Sequence, residues 1–188
     1  MEPIGVGCAS ISIFKCNWRL LRLGLLVRTK NQLFSLEVLI ELKKLHGNAK
    51  LNLVGVNGIT PYYRKLIDFV NNNGLEDSVN FIVKTDDVEK IYEHTSFAII
   101  HSLREGFSLV AIEAQAYVIE MFASSNIPKE VVCGGVVFFD LLEGAKYWAD
   151  EIDKYYLRYG NNRHGFDTKG FGFEKYKYRL AYLYGFIK

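Results

Sequence analysis

The chain has 188 residues, 49% of them hydrophobic and 14% aromatic, with a formal net charge of +2 at pH 7. That supplies one domain with a real core, is too apolar for a disordered chain, and lacks the strong positive charge that draws nucleic acid. The charge is uneven, however: residues 1–34 hold five Lys/Arg against one acid, residues 154–188 hold eight against two, and the stretch between holds ten against eighteen.

Apolar runs and amphipathic stretches alternate from about residue 23 onwards. "LGLLV" (23–27) reads as a buried strand. "NQLFSLEVLIELKKLHG" (31–47) places Leu33, Leu36, Leu39, Ile40 and Leu42 at helical spacing, with Gly47 as a stop. "KLNLVGV" (50–56) is a strand. Thr60 and Pro61 then form the cap and first turn of a helix through "YYRKLIDFVNNNG". "SVNFIV" (78–83) is a strand, "DDVEKIYEH" (86–94) a short helix and "FAIIH" (97–101) another strand. A helix over about 107–118 is followed by weaker signals. "GVVFFD" (135–140) is a strand and "AKYWADEIDKYYLRYG" (145–160) a helix. A polar loop, "NNRHGFDTKG", and an aromatic helix at about 171–186 complete the chain. The alternation predicts an α/β fold, a Rossmann-like parallel sheet with helices on both faces and right-handed crossovers.

The cysteines, Cys8, Cys16 and Cys133, are odd in number and include no CxxC pair. Neither a disulfide framework nor a zinc site is expected, and a cytoplasmic location fits. The Met1 end lacks a basic region before its apolar run, so no signal peptide is expected. Lys15, Arg19 and Arg22 interrupt the only long apolar stretch, which argues against a transmembrane span. The basic, aromatic ends fit docking onto another domain better than an anionic surface, leaving at most peripheral membrane contact.

The segment with most chemistry is "REGFSLVAIEAQA" (104–116), where Glu105 precedes a small apolar helix and Glu113 lies inside it. The helix start presents free amides and the positive end of the helix dipole, an anion site of the kind a phosphate occupies. Gly106 lets the backbone approach a ligand. Glu113, about 10 Å further along at 1.5 Å per residue, can accept hydrogen bonds from sugar hydroxyls. The pattern reads as a nucleotide-diphosphate site. Against it stands the plain alternative that one acid caps a helix and the other faces water. Glu113 resists that alternative, because Val110, Ala111, Ile112, Ala114 and Ala116 leave it little polar face.

"HSLREGFSLVAIEAQA", with its E-x7-E spacing, resembles the signature of retaining nucleotide-sugar glycosyltransferases of the GT-B fold, the glycosyl transferases group 1 type. "KNQLFSLEVLIEL", "AKLNLVGVNG", "GLEDSVNFI", "DDVEKIYEHTSFAIIHS", "SSNIPKEV" and "WADEI" agree, in the same order. The likeness covers about residues 23–188 and looks like bacterial capsule or exopolysaccharide enzymes. It implies the carboxyl-terminal half of a GT-B fold, a nucleotide-sugar-binding domain over 23–188, with residues 1–22 an unassigned arm. It also implies roles. Glu105 faces the donor sugar as the catalytic residue. Lys30 and the backbone of Gly106, Phe107, Ser108 and Leu109 hold the diphosphate. Glu113 holds the ribose. The donor would be a UDP-sugar and the acceptor a glycan or lipid-linked sugar. Family members usually need no metal, and neither a metal nor a cofactor is expected here. A separate acceptor-domain subunit would complete the cleft, and the isolated domain would transfer little sugar. A non-catalytic or decayed nucleotide-sugar-binding fragment is the alternative. A nucleotide-sugar epimerase ranks lower, since its pattern lacks "EGFSLVAIEAQA".

Three departures bear on that reading. Leu25 stands where the family has a phosphate-binding arginine, and Arg28 lies three positions on, an odd offset that turns a strand residue to the other face. A lost charge-assisted phosphate contact costs on the order of 1.5–3 kcal/mol. Val83 replaces a glycine near the base, and "QAYVIE" (115–120) lacks the family's Gly and Pro. His101 reads as a satisfied strand-end histidine rather than a phosphate ligand, His164 as a bystander, and the aromatic tail as core or docking surface.

Overall fold

The computed structural model describes residues 18–56, 58–83, 88–106, 108–117, 119–129 and 135–160. The expected loop and helix after residue 160, His164, Phe107, Cys8, Cys16 and Cys133 lie outside them.

Strands β1 (Arg19–Leu23), β2 (Lys50–Val56), β3 (Val79–Val83), β4 (Phe97–Ile100), β5 (Glu120–Ser124) and β6 (Val136–Phe139) form one sheet in the order β3-β2-β1-β4-β5-β6. Every pairing is parallel. Helices α1 (Gln32–Leu45), α2 (Pro61–Asn72), α3 (Val88–Glu93), α4 (Leu109–Ala116) and α5 (Gly144–Tyr159) connect and cover the strands. The Rossmann-like α/β expectation holds.

The sheet separates two cores by the period-2 alternation of its strands. Leu20, Leu51, Leu53, Ile99 and Phe122 face one core, with Leu36, Leu39 and Leu42 of α1 and Trp148 and Ile152 of α5. Leu21, Leu23, Ala98, Ile100 and Met121 face the other, with Tyr92 of α3 and Ala111, Ile112 and Ala114 of α4. Burial on both faces is what a parallel sheet demands. Local signals agree with the helices. The Thr60 hydroxyl accepts from the Tyr63 amide at 3.0 Å, and Pro61 opens α2.

Two strands differ from the sequence reading. The first was expected at 23–27 but runs from Arg19 to Leu23, so residues 19–22 belong to the centre of the sheet. Leu25 and Val27 instead lie in the following loop, both exposed. The reading treated Arg22 as an interruption of apolar sequence, whereas its guanidinium is bonded inside the fold. The second is β5, which drew no expectation. Its burial on both faces removes the alternation that reveals half-buried strands.

The strand order reverses between β1 and β4, because β1 leads outwards to β2 and β3 while the chain returns to β4 on the other side. Such sheets bind ligands at the carboxyl ends of the strands on either side of this reversal. Close packing shapes that end. A Cβ on Gly55, whose φ is +113°, would sit 2.6 Å from the Gly24 carbonyl oxygen, so only glycine lets β2 pass the loop after β1.

Candidate functional site

The loops after β1 and β4 meet at this reversal. The Leu103 amide donates to the Thr29 carbonyl at 2.9 Å. The loop after β1 contains one helical turn, Arg28–Lys30, closed by Asn31 in the left-handed region at φ 54°. Asparagine tolerates that conformation better than most residues, which suits the Lys30–Asn31 pair to the start of α1. Gln32 then donates to the Leu25 carbonyl at 2.7 Å, pinning the loop from below.

This arrangement joins two of the residues singled out from sequence. The Lys30 ammonium meets the Glu105 carboxylate at 2.5 Å, although the two are 75 positions apart. The carboxylate is 5% exposed and the lysine side chain 28%. Partial burial costs both groups solvation, so the pair is more sensitive than a surface ion pair to loss of either member.

Ser108 caps the start of α4 with an extended backbone, and its carbonyl accepts from the Ala111 amide at 3.1 Å. The first amides of a helix have no intrahelical acceptor, so the loop carrying Glu105 delivers donors and a positive dipole end beside Lys30. Leu109 is exposed at that start. A Cβ on Gly106 would meet nothing within 4 Å, and its φ lies outside the left-handed region. Nothing among the described residues therefore demands glycine there.

Glu113 is exposed on α4 and accepts a hydrogen bond from the Tyr92 hydroxyl at 2.9 Å. Tyr92 is buried and stacks on Tyr117, ring centroids 4.6 Å apart. Burial, with the Glu113 charge second, pushes the Tyr92 hydroxyl far above its ordinary range, so it remains a donor. The sequence singled out Glu113 but missed Tyr92, whose spacing from Glu113 carries no local signal.

His101 is fully buried at the end of β4. Its Nδ1 pairs with the Ser35 hydroxyl at 3.0 Å, and Phe34 and Trp148 pack on its ring. Burial, then the nearby Arg22 charge, holds its pKa well below 6.5, so the ring is neutral. Arg28 does not join Lys30. With Leu26, Val27, Pro61, Tyr62 and Lys65 it lines a cavity of about 340 Å³ that neither Lys30 nor Glu105 touches.

Arg22 is the residue the sequence reading passed over. It is 2% exposed and lies at the carboxyl end of β1, on the α1 side of the sheet by alternation with Leu20. One terminal nitrogen donates to the Leu23 carbonyl at 2.6 Å. The other donates to the Lys30 carbonyl at 2.8 Å and the Ser102 hydroxyl at 3.1 Å. It therefore ties together both loops that build the site. Among the described residues, no group of three or more His, Cys, Asp or Glu could hold a metal ion, and no helix is long and apolar enough to cross a membrane.

The family model for glycosyl transferases group 1 matches residues 10–164. The chain belongs to the glycosyl transferases group 1 family. A Haemophilus influenzae relative, described as an uncharacterized glycosyltransferase, is 33% identical over 112 residues, which are 60% of this chain and 31% of that protein. Among solved structures, HepE of Anabaena in complex with UDP superposes with a TM-score of 0.70 at 17% identity, over 91% of this chain and 49% of that one. The C-terminal domain of the Francisella tularensis group 1 glycosyl transferase LpcC superposes with a TM-score of 0.63 at 20% identity, over 87% of this chain and 86% of that one. These superpositions show the sheet and its helices to be the Rossmann-like fold of GT-B glycosyltransferases. This group 1 chain spans about a third of its curated relative and about half of HepE.

Proposed function

We propose that this group 1 domain is the donor-binding, carboxyl-terminal half of a retaining glycosyltransferase. It binds a UDP-sugar for transfer to a glycan or lipid-linked acceptor in capsule or exopolysaccharide synthesis, in the cytoplasm. The carrying observation is the Lys30–Glu105 pair, set beside the start of α4 at the reversal between β1 and β4. The UDP and UDP-glucose complexes of HepE support the donor class.

On this reading the diphosphate lies against the backbone of Gly106, Phe107, Ser108 and Leu109. A phosphate oxygen competes with Glu105 for the Lys30 ammonium. The displaced Glu105 carboxylate is then free to accept hydrogen bonds from donor-sugar hydroxyls. Helix dipole and ammonium stabilise the charge that grows on the leaving diphosphate as the sugar departs. Glu113, held by Tyr92, accepts from ribose hydroxyls. A second domain or subunit supplies the acceptor and closes the cleft, without which positioning, and hence transfer, is poor.

A second reading, a donor-binding fragment that no longer transfers sugar, draws on Leu25. That residue is neutral and 53% exposed in the loop where a second phosphate-binding cation is expected. Calorimetric titration with UDP tests the site. The folded chain is expected to bind UDP, and Glu113→Ala to weaken it roughly tenfold, the loss of about one hydrogen bond from a charged acceptor. A folded chain silent to UDP and to other nucleoside diphosphates sinks the donor-site reading. Binding without transfer, even with an acceptor domain added, selects the fragment.

A further inference from the structure

Among the described residues, Arg22 is the only Arg, Lys, Asp or Glu that is buried as a whole. Burying an ion costs several kcal/mol unless an opposite charge and hydrogen bonds compensate. Its three hydrogen-bond acceptors, Leu23 O, Lys30 O and Ser102 Oγ, are all neutral. Its Nε finds no partner among the described residues. The acid acting on it is Glu105, and that carboxylate already bonds Lys30. Two cations thus share one acid, and the cluster of Arg22, Lys30 and Glu105 carries a surplus positive charge. Burial pulls the guanidinium down to about 10, which leaves it ionised at neutral pH.

The surplus lies where the loops after β1 and β4 are tied together, beside the start of α4. Lys30, matched by Glu105, contributes no net charge there. Leu25 contributes none either.

We propose that Arg22 is the second cation of the diphosphate site, a positioning residue that acts from beneath the loops without touching the ligand. Its charge makes the Lys30–Glu105 cluster net positive, and that charge, rather than its bonds to the Lys30 carbonyl and Ser102, sets the affinity for phosphate. The positive charge that Leu25 does not supply in the loop comes instead from the strand beneath it. This inference rests on the donor-site reading and deepens it.

The test is titration of UDP and of uridine into wild type, Arg22→Met and Arg22→Lys, with folding followed by circular dichroism. Wild type is expected to bind UDP. Arg22→Met is expected to lose about tenfold in UDP affinity, the scale of one unit charge a few ångströms away in a partly screened site, while uridine affinity changes less than twofold. Arg22→Lys, which keeps the charge and loses the fork, is expected to stay within about threefold of wild type for UDP. A folded Arg22→Met that binds UDP as wild type does overturns the proposal and leaves the donor site standing. An Arg22→Lys that falls tenfold also overturns it, by assigning the effect to the hydrogen bonds alone, and this arm decides the matter if Arg22→Met does not fold. Wild type silent to UDP removes the donor site first, and the inference with it.

Discussion

The two ends of the sheet treat buried polar groups differently. At the amino ends of the strands, each has a partner. Ser78 accepts from Lys43 at 2.5 Å, Thr95 donates to the Ile91 carbonyl at 2.7 Å, and Ser96 accepts from the Arg19 amide at 3.3 Å. Trp18 stacks on His46 at 3.7 Å, and His46 pairs with Asp153 at 2.7 Å. At the carboxyl ends lie all four buried side-chain polar atoms without a partner among the described residues: Arg22 Nε, Gln32 Oε1, His101 Nε2 and Ser108 Oγ. Each such atom costs about 1–3 kcal/mol. All four flank the reversal between β1 and β4. One end of the molecule is closed around its own contacts. The other retains hydrogen-bonding capacity at the cost of stability, as places that bind ligands do.

Substitutions at the two ends are therefore expected to separate stability from binding. Trp18→Ala, at the closed end, is expected to cost about 3–5 kcal/mol in urea unfolding. UDP affinity of the folded fraction should be unchanged. An affinity loss that matched the stability loss would erase the distinction between the ends.

Acidity sharpens it. His101 is buried neutral with a lowered pKa, so the unfolded chain takes up a proton that the folded chain refuses. Its contribution is present above pH 6.5 and is lost as pH falls below that value, by about 1.4 kcal/mol per pH unit. Glu120, at the amino end of β5, has the opposite sign. Burial raises it to about 7, so its contribution is present below pH 4.5 and is lost as pH rises through 7. Stability of His101→Gln against wild type between pH 4.5 and 6.5 checks this. The variant should lose stability less steeply on acidification, and parallel profiles would show that His101 does not carry the effect.

Glu105→Gln frees Lys30 from its acid. It is expected to tighten UDP roughly fivefold, the worth of about 1 kcal/mol for a partly exposed pair, while removing any preference for UDP-sugar over UDP. Weaker UDP binding would mean that the pair holds the loop rather than competing with phosphate. The smallest effect is expected from Tyr92→Phe. Losing one hydrogen bond, about 1 kcal/mol, should cut the discrimination between UDP and its 2′- and 3′-deoxyribose analogues several-fold, with uracil recognition intact. Unchanged discrimination would take Glu113 out of ribose binding.

Helix positions were legible because Leu36, Leu39 and Leu42 repeat at 3.6-residue spacing and Thr60–Pro61 is a start signal that acts locally. Strands β2, β3, β4 and β6 were legible as short apolar runs between turns. β1 was misplaced because a buried arginine looks like a break until one acceptor from its own strand and two from the neighbouring loops surround it. β5 was missed because Glu120–Ser124 becomes a strand only by pairing with β4 and β6.

The site divides in the same way. The sequence by itself pointed to the parallel sheet through its order of elements, to Glu105 and Glu113 through their spacing, and to the family and Lys30 through a resemblance carried by local motifs. Only the tertiary structure decided that Glu105 spends its charge on Lys30, that Tyr92 holds Glu113, and that the buried Arg22 bonds both loops of the site. Those pairings cross 75, 21 and 80 positions of chain. They exist because the crossovers return β4 to lie beside β1, and side-chain charges respond to distance in space rather than along the chain.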